Sequence, residues 1–308
     1  MKHPIDYIGI YGPTASGKTA ISLELARQYP IEIISVDSAL VYQEMDIGTA
    51  KPSIEQQSTC QHHLIDIISP EQNFSVGQFH EKAISLIKDI RSRHKVPLLV
   101  GGTALYFQSL SKGYANLPVI TDATCSHVTA QIHEQGLERV FQHLCSIDLR
   151  HQQIKPNDKQ RINRAACVYF QTKQSIFDFW TDQKAQLDGH IFSLNILERT
   201  VLKEQINHRL SQMLEQGLID ETEHIIHKYH LLPEHNSMRC VGYRQIYDML
   251  RGIMPKTDLK NRIYYATCQY AKRQLTWLNL LKTERITEKS HLYKIDLSIN
   301  KMLSEKTF

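Results

Sequence analysis

The sequence has no cysteine pair at CxxC spacing, no apolar run long enough to cross a bilayer, and no excess of glycine or proline. Its six cysteines (Cys60, Cys125, Cys145, Cys167, Cys240 and Cys268) are scattered, which excludes a zinc knuckle and suits free thiols in a reducing compartment. Apolar runs such as Pro97–Val100 fall far short of the roughly 20 residues that a spanning helix needs, so no membrane association is expected. The opening MKHPIDYIGIYGP lacks a basic segment followed by an apolar stretch and a cleavage site; a cytoplasmic location is expected. With 13 Gly and 10 Pro in 308 residues the chain is neither collagen-like nor low-complexity. Hydrophobic residues at 42% and charged residues at 22% allow a buried core without disulfides, in one large or two modest domains. No internal repeat is present.

The net charge of +4 conceals an alternation along the chain. Residues 1–138 carry −4, 139–173 carry +5, 174–238 carry −5 and 239–285 carry +7. Two basic blocks thus stand in an acidic frame. Such blocks suit a polyanion, and the aromatic residues within them could stack on unpaired bases; a solvated helix face is the plainer alternative.

Residues 6–11 read as a short buried strand, and TAISLELARQY after Lys18 reads as a helix. Ile31–Val36 and Val96–Val100 are further strands, the first stopping at Asp37 and the second at Gly101-Gly102. A helix over about 75–94 buries Phe79, Ala83, Leu86, Ile87 and Ile90. Strand, helix and strand at this spacing imply βαβ units and a parallel sheet. Beyond Leu117 the strand signals fade into helical stretches at Cys125–Gly136 and Gln160–Lys173. Ile191–Ile196 reads as a returning strand, followed by a helix to Gly217 and another from Thr257, a candidate N-cap, to about Lys282. The expected organisation is a discontinuous core of residues 1–115 and 191–285, a helical insertion at 116–190 and a C-terminal tail at 286–308.

Gly12-Pro13-Thr14-Ala15-Ser16-Gly17-Lys18-Thr19 matches GxxxxGK[ST] between a predicted strand and a predicted helix. In that context it is a phosphate-binding P-loop, and the fold class is α/β: a P-loop NTPase-like core whose parallel sheet is flanked by helices, with a helical insertion. Glycines let backbone N–H groups turn onto a phosphate chain, Lys18 neutralises its oxygens, and the Thr19 hydroxyl suits a bridging Mg²⁺. The loop recognises a diphosphate, whatever that diphosphate carries. Leu98-Leu99-Val100 ends in Gly101-Gly102-Thr103 instead of the acid that hydrolases use to orient metal and water. Asp37, at the carboxyl end of its strand, could bind magnesium or accept a proton; the alternative is a carboxylate that only caps a turn through Ser38.

Further along stand ISVDSALVYQEMDIGTAKP (34–52), HHLIDI (62–67), PLLVGGTALYF (97–107), PNDKQRINRA (156–165), RCVGYRQ (239–245) and AKRQLTWL (271–278). In these motifs and their order the chain resembles the tRNA dimethylallyltransferase, or tRNA isopentenyltransferase, family over residues 12–278. The resemblance implies Mg²⁺-dependent transfer of a dimethylallyl group from dimethylallyl diphosphate to N6 of the adenosine 3′ of the anticodon, with the tRNA anticodon stem-loop as partner. It implies that Gly12, Pro13, Thr14, Ala15, Ser16, Gly17, Lys18 and Thr19 grip the diphosphate, with magnesium at Thr19. Asp37 would be the general base, Thr103 would lie near the reacting centre, and Arg209 would reach the diphosphate. The tRNA contacts it implies are Asp37, Ser38, Ala39, Leu40, Thr103, Cys125, Gln160, Arg161, Ile162, Asn163, Arg164, Arg239, Cys240, Val241, Gly242, Tyr243 and Arg244. In the last basic block they are Lys272, Arg273, Gln274, Leu275, Thr276, Trp277, Leu278 and Asn279. Both basic blocks coincide with these motifs, and a monomer is expected.

The chemistry agrees with the resemblance. An exocyclic adenine amine is a weak nucleophile, so transfer needs a positioned base and a stabilised leaving group, and a stacked adenosine must flip out to reach them. One departure is Cys125, which stands where many family members carry an arginine; residues 117–136 contain no Lys or Arg, and His127 and His133 read as solvent-facing. His62-His63 has no third ligand at metal spacing, Trp277 and Tyr270 suit core packing as well as base stacking, and Cys240 reads as packing. The rival readings are an ATP-dependent small-molecule kinase and an RNA-binding adaptor that holds nucleotide as a switch.

Overall fold

The computed structural model describes residues 5–115, 117–180, 185, 187–194, 198–286 and 291–304, which divide into two units. The first unit (1–111 and 185–308) is built on six parallel strands: β1 (Tyr7–Tyr11), β2 (Ile31–Val36), β3 (His62–His63), β4 (Val96–Gly101), β5 (Gly189–Leu194) and β6 (Glu284–Ile286). Their order is β3-β2-β4-β1-β5-β6, so the central strands β4 and β1 lie between others on both sides. The register pairs Tyr11 with Gly101 and Val36 with Gly101, which brings the carboxyl ends of β1, β2 and β4 to one edge. In a parallel sheet that edge is where ligands bind.

The strand pattern explains the two faces, because alternate side chains point to opposite sides. Tyr7, Tyr11, Ile34, Val36 and Leu99 pack beneath α3 (Val76–Ser92) and α4 (Ala104–Lys112). Ile8, Ile10, Ile31, Ile33 and Leu98 face the other way and bury Leu25 of α1 (Lys18–Gln28). Helix α3 starts in a capping box of Ser75 and Gln78 and turns Phe79, Ala83, Ile87 and Ile90 inward at helical spacing. Helix α2 (Ile54–Ser58) sits in the β2–β3 connection.

The second unit (112–184) is helical: α5 (Asp122–Gln135), α6 (Leu137–Ile147) and α7 (Lys159–Thr172) close over a core of Val128, Leu144, Ile162, Ala165 and Val168. After β5, helices α8 (Arg199–Glu215), α9 (Leu218–Tyr229), α10 (Tyr243–Leu250) and α11 (Leu259–Leu278) build a third apolar cluster with Val41, Tyr42 and Met45.

Two expectations change. The segment 286–308, read as a tail, supplies β6 with Ile286 and then α12 (His291–Ser304), whose Ile295, Ile299 and Met302 are buried against Phe192 and Leu194. Their spacing places them on one helix face, so this segment covers the sheet. Residues 287–290 and 305–308 of that segment, and Asn195 and Ile196 of the expected returning strand, lie outside the described residues. Thr257 is not the cap of α11; a short 3₁₀ turn at Lys256–Asp258 precedes the helix and places Asp258 at that position.

Candidate active site

The loop between β1 and α1 turns where the sequence requires it. Gly17, immediately before α1, has φ of 82°, a left-handed conformation that costs glycine little, and Ala15 has φ of 61°. No side chain caps α1, so its first N–H groups are left for an anion. The Lys18 ammonium donates to the carbonyls of Gly12 at 2.9 Å and Pro13 at 2.6 Å, which folds its long side chain back over the loop.

A cavity of about 510 Å³ opens at the sheet edge, and all its described lining residues belong to the first unit. Its lining includes Thr14, Ala15, Lys18 and Thr19 with Asp37 and Arg209, of which Lys18, Asp37 and Arg209 are close enough to interact, and it includes the apolar Leu40, Leu210, Met213, Leu218 and Val241. Charged and apolar groups on one lining suit a ligand with an anionic head and a hydrocarbon tail. Three strand or helix positions set the charges: Lys18 opens α1, Asp37 follows β2, and Arg209 projects from the middle of α8.

The electrostatics favour an anion. Burial lowers the Lys18 pKa to about 8; Asp37 opposes the shift and Arg209 adds to it. Burial likewise lowers Arg209, against the pull of Asp37. Two desolvated cations therefore share one carboxylate, leaving positive charge that a diphosphate would neutralise. Asp37 Oδ1 accepts the Ala39 N–H at 2.8 Å, and its other oxygen has no hydrogen-bond partner among the described residues. The turn-capping role and a free oxygen in the cavity thus coexist in one carboxylate. Thr103 ties the β4 end to this turn: its hydroxyl oxygen accepts the Ser38 N–H at 3.1 Å and its own N–H donates to Val36 O at 3.1 Å.

Tyr270, weighed from the sequence as core packing or base stacking, belongs to this site, and Ser35 and Glu221 were not singled out from the sequence. Tyr270 lines the cavity from α11, and burial together with Asp37 raises its pKa, so it stays protonated. Ser35 lines the cavity too, nearly fully buried, and its hydroxyl has no hydrogen-bond partner among the described residues. Glu221 of α9 accepts the N–H groups of Asp46 (3.0 Å), Ile47 (2.7 Å) and Gly48 (3.2 Å) and the Tyr243 hydroxyl (2.6 Å), fixing the loop whose Gly48, Thr49 and Ala50 line the cavity.

The contiguous runs expected to contact tRNA separate by helix face. Arg239, Arg244, Lys272, Arg273, Thr276 and Asn279 are exposed, as are Gln160, Arg161 and Cys125 in the second unit; Asn163 and Arg164 are half-buried there. Ile162, Tyr243, Gln274 and Leu278 are buried: Ile162 in the second unit's core, Tyr243 on Glu221, Leu278 under the sheet and Gln274 against the P-loop, where it also lines the cavity. Leu275 and Trp277 are half-buried, and Trp277 packs on the sheet core. Cys240 and Val241 pack on the α8–α11 cluster, and burial, with Asp37, pushes the Cys240 thiol up to about 12. Gly242 is buried at the start of α10. His62 bonds the Cys60 carbonyl at 2.8 Å and His63 bonds Glu32 at 2.8 Å, so both serve the β3 edge. His127 and His133 are exposed on α5.

Residues 40–280 match the family model described as IPP transferase. The chain belongs to the IPP transferase family. It is 41% identical over 278 residues to the tRNA dimethylallyltransferase of Nitrosomonas eutropha, covering 89% of this chain and 88% of that protein. It is 44% identical to the Chromobacterium violaceum enzyme of the same name, covering 88% and 85%. The crystal structure of a full-length tRNA isopentenylpyrophosphate transferase from Bacillus halodurans superposes with a TM-score of 0.70 at 32% identity, covering 97% of each chain. Family membership supports the prenyl-transfer reading and gives the kinase reading nothing. Among the described residues no helix is long and apolar enough to cross a membrane.

Proposed function

We propose that this chain transfers a dimethylallyl group from dimethylallyl diphosphate to N6 of the adenosine 3′-adjacent to the anticodon of tRNA, releasing diphosphate. The observation that carries the reading is the meeting of Lys18, Arg209 and Asp37 on the lining of one cavity to which Leu40, Leu210, Met213, Leu218 and Val241 also contribute. The apolar lining residues suit the isoprenoid, and the two cations with the α1 N–H groups suit its diphosphate.

In the reaction the N6 amine attacks the allylic carbon, a C–N bond forms and the C–O bond to diphosphate breaks. The charge that develops on the departing oxygen falls to Lys18, Arg209 and the loop N–H groups, which are fixed beforehand. The proton leaves N6 for Asp37, whose bond to the Ala39 N–H holds the carboxylate in place while its second oxygen receives the proton. Thr103 orients the turn that carries Asp37, and Tyr270, protonated throughout the working range, lines the same cavity.

Thr19 and Ser35 offer only oxygen donors, and the unsatisfied Ser35 hydroxyl fits a site completed by a hard cation with its waters. Mg²⁺ held there supplies charge neutralisation to the diphosphate. The exposed bases Arg239, Arg244, Lys272 and Arg273, with Arg161 of the second unit, are proposed phosphate contacts, in a monomeric cytoplasmic protein.

The test is mass analysis of nucleosides from tRNA incubated with the protein, Mg²⁺ and dimethylallyl diphosphate. One added C5H8 unit on adenosine is expected. Consumption of ATP with no such product would overturn the reading.

A further inference from the structure

Helix α11 carries exposed bases on one face, and Gln274 belongs to the other, only 5% exposed. Both ends of its amide are engaged. Oε1 accepts the Thr14 N–H at 2.9 Å, and Nε2 donates to the Gly102 carbonyl at 3.0 Å. Its main-chain carbonyl accepts the Tyr11 hydroxyl at 2.6 Å. The fit is close: a Cβ added to Gly102 would lie 2.1 Å from Nε2 and 3.1 Å from the Gly12 carbonyl oxygen, so a side chain at 102 would displace the Gln274 amide. One turn earlier on the same helix, Tyr270 meets Thr103 beside Asp37.

We propose that Gln274 is a positioning residue that latches the P-loop to the β4–α4 turn and to the helix bearing Lys272 and Arg273, setting the loop for diphosphate before the ligand arrives. The inference rests on the reading of that loop as the diphosphate site. The Thr14 N–H is directed to Gln274, so the anion cradle begins at Ala15 and Gly17, the two residues of this loop with positive φ. Lys18 grips the carbonyls of Gly12 and Pro13 in the same stretch. Without the latch the half-buried Thr14 N–H and the buried Gly102 carbonyl lose a partner, and the loop is held less firmly before ligand binds.

The experiment measures steady-state transfer from dimethylallyl diphosphate to tRNA, with tRNA affinity measured separately by filter binding. Gln274→Met keeps the volume and removes both hydrogen bonds; Gly102→Ala disturbs the same contact from the other side, and Gln274→Asn is a milder variant should either misfold. Each of the first two is expected to raise KM for dimethylallyl diphosphate about tenfold, with kcat and tRNA affinity within about threefold of wild type. The double variant should be no worse than either single, since both break one contact. Multiplying effects, an unchanged diphosphate KM, or a loss confined to tRNA affinity would each overturn the latch. Absence of transfer by the wild-type chain would overturn the parent reading and the latch with it.

Discussion

Lys18 gives the diphosphate site a pH dependence that can be worked out in advance. Its ammonium sits in a desolvated place, with a pKa near 8 against an ordinary 10.5. Between pH 7 and pH 9 the charged fraction of the substrate-free site falls from about nine-tenths to about one-tenth. A bound diphosphate adds negative charge and restores the ammonium, so binding at pH 9 takes up about one proton. If the neutral amine contributes nothing, affinity for a non-reacting thiolodiphosphate analogue should fall about tenfold from pH 7 to pH 9. Titration calorimetry in buffers of different ionisation enthalpy reads both quantities. Lys18→Arg retains its charge across this range and should flatten the profile. Asp37→Asn removes the carboxylate that props up the ammonium, so the midpoint should move below pH 8. Constant affinity from pH 7 to pH 9, with heats independent of buffer, would refute the reasoning.

Elsewhere the fold makes its own predictions. Glu32 is buried in β2 and held near pKa 2, against 4.5, chiefly by Arg93, with Lys95 and His63 assisting. A depressed carboxyl stabilises the fold at neutral pH and loses that contribution as pH falls from 4.5 through 2; Glu32→Gln should cost about 3 kcal/mol at pH 7 and much less at pH 2, read by urea unfolding at both. Ile299, fully buried beneath the sheet on α12, should cost about 3 kcal/mol when changed to Ala; a change below about 0.5 kcal/mol in the same assay would contradict the packing of that helix.

The sequence was most readable where chemistry constrains it. Strand, glycine loop and helix had to fall in that order around Lys18, and Asp37 had to stand at a strand end, because a diphosphate site needs a parallel sheet's carboxyl edge. Strand order was not readable, since the crossovers that set it leave no local mark. Contact motifs written as contiguous runs blurred Gln274 and Leu278 with Lys272 and Arg273, although helix geometry puts them on opposite faces. Tyr270 was ambiguous for a related reason: cavity wall and core have the same helical spacing. Ile295, Ile299 and Met302 did carry a helical period, and Ser290 directly precedes the helix in sequence, but three apolar residues over two turns are too short a pattern to separate a covering helix from a tail.

The central claim is that Asp37 takes the amine proton at a site that already holds the diphosphate. Single-turnover transfer by Asp37→Asn, with tRNA and dimethylallyl diphosphate both saturating, tests it most directly. The account predicts a rate lowered by about 10² to 10⁴ with tRNA affinity within about threefold of wild type. Transfer at the wild-type rate would contradict it.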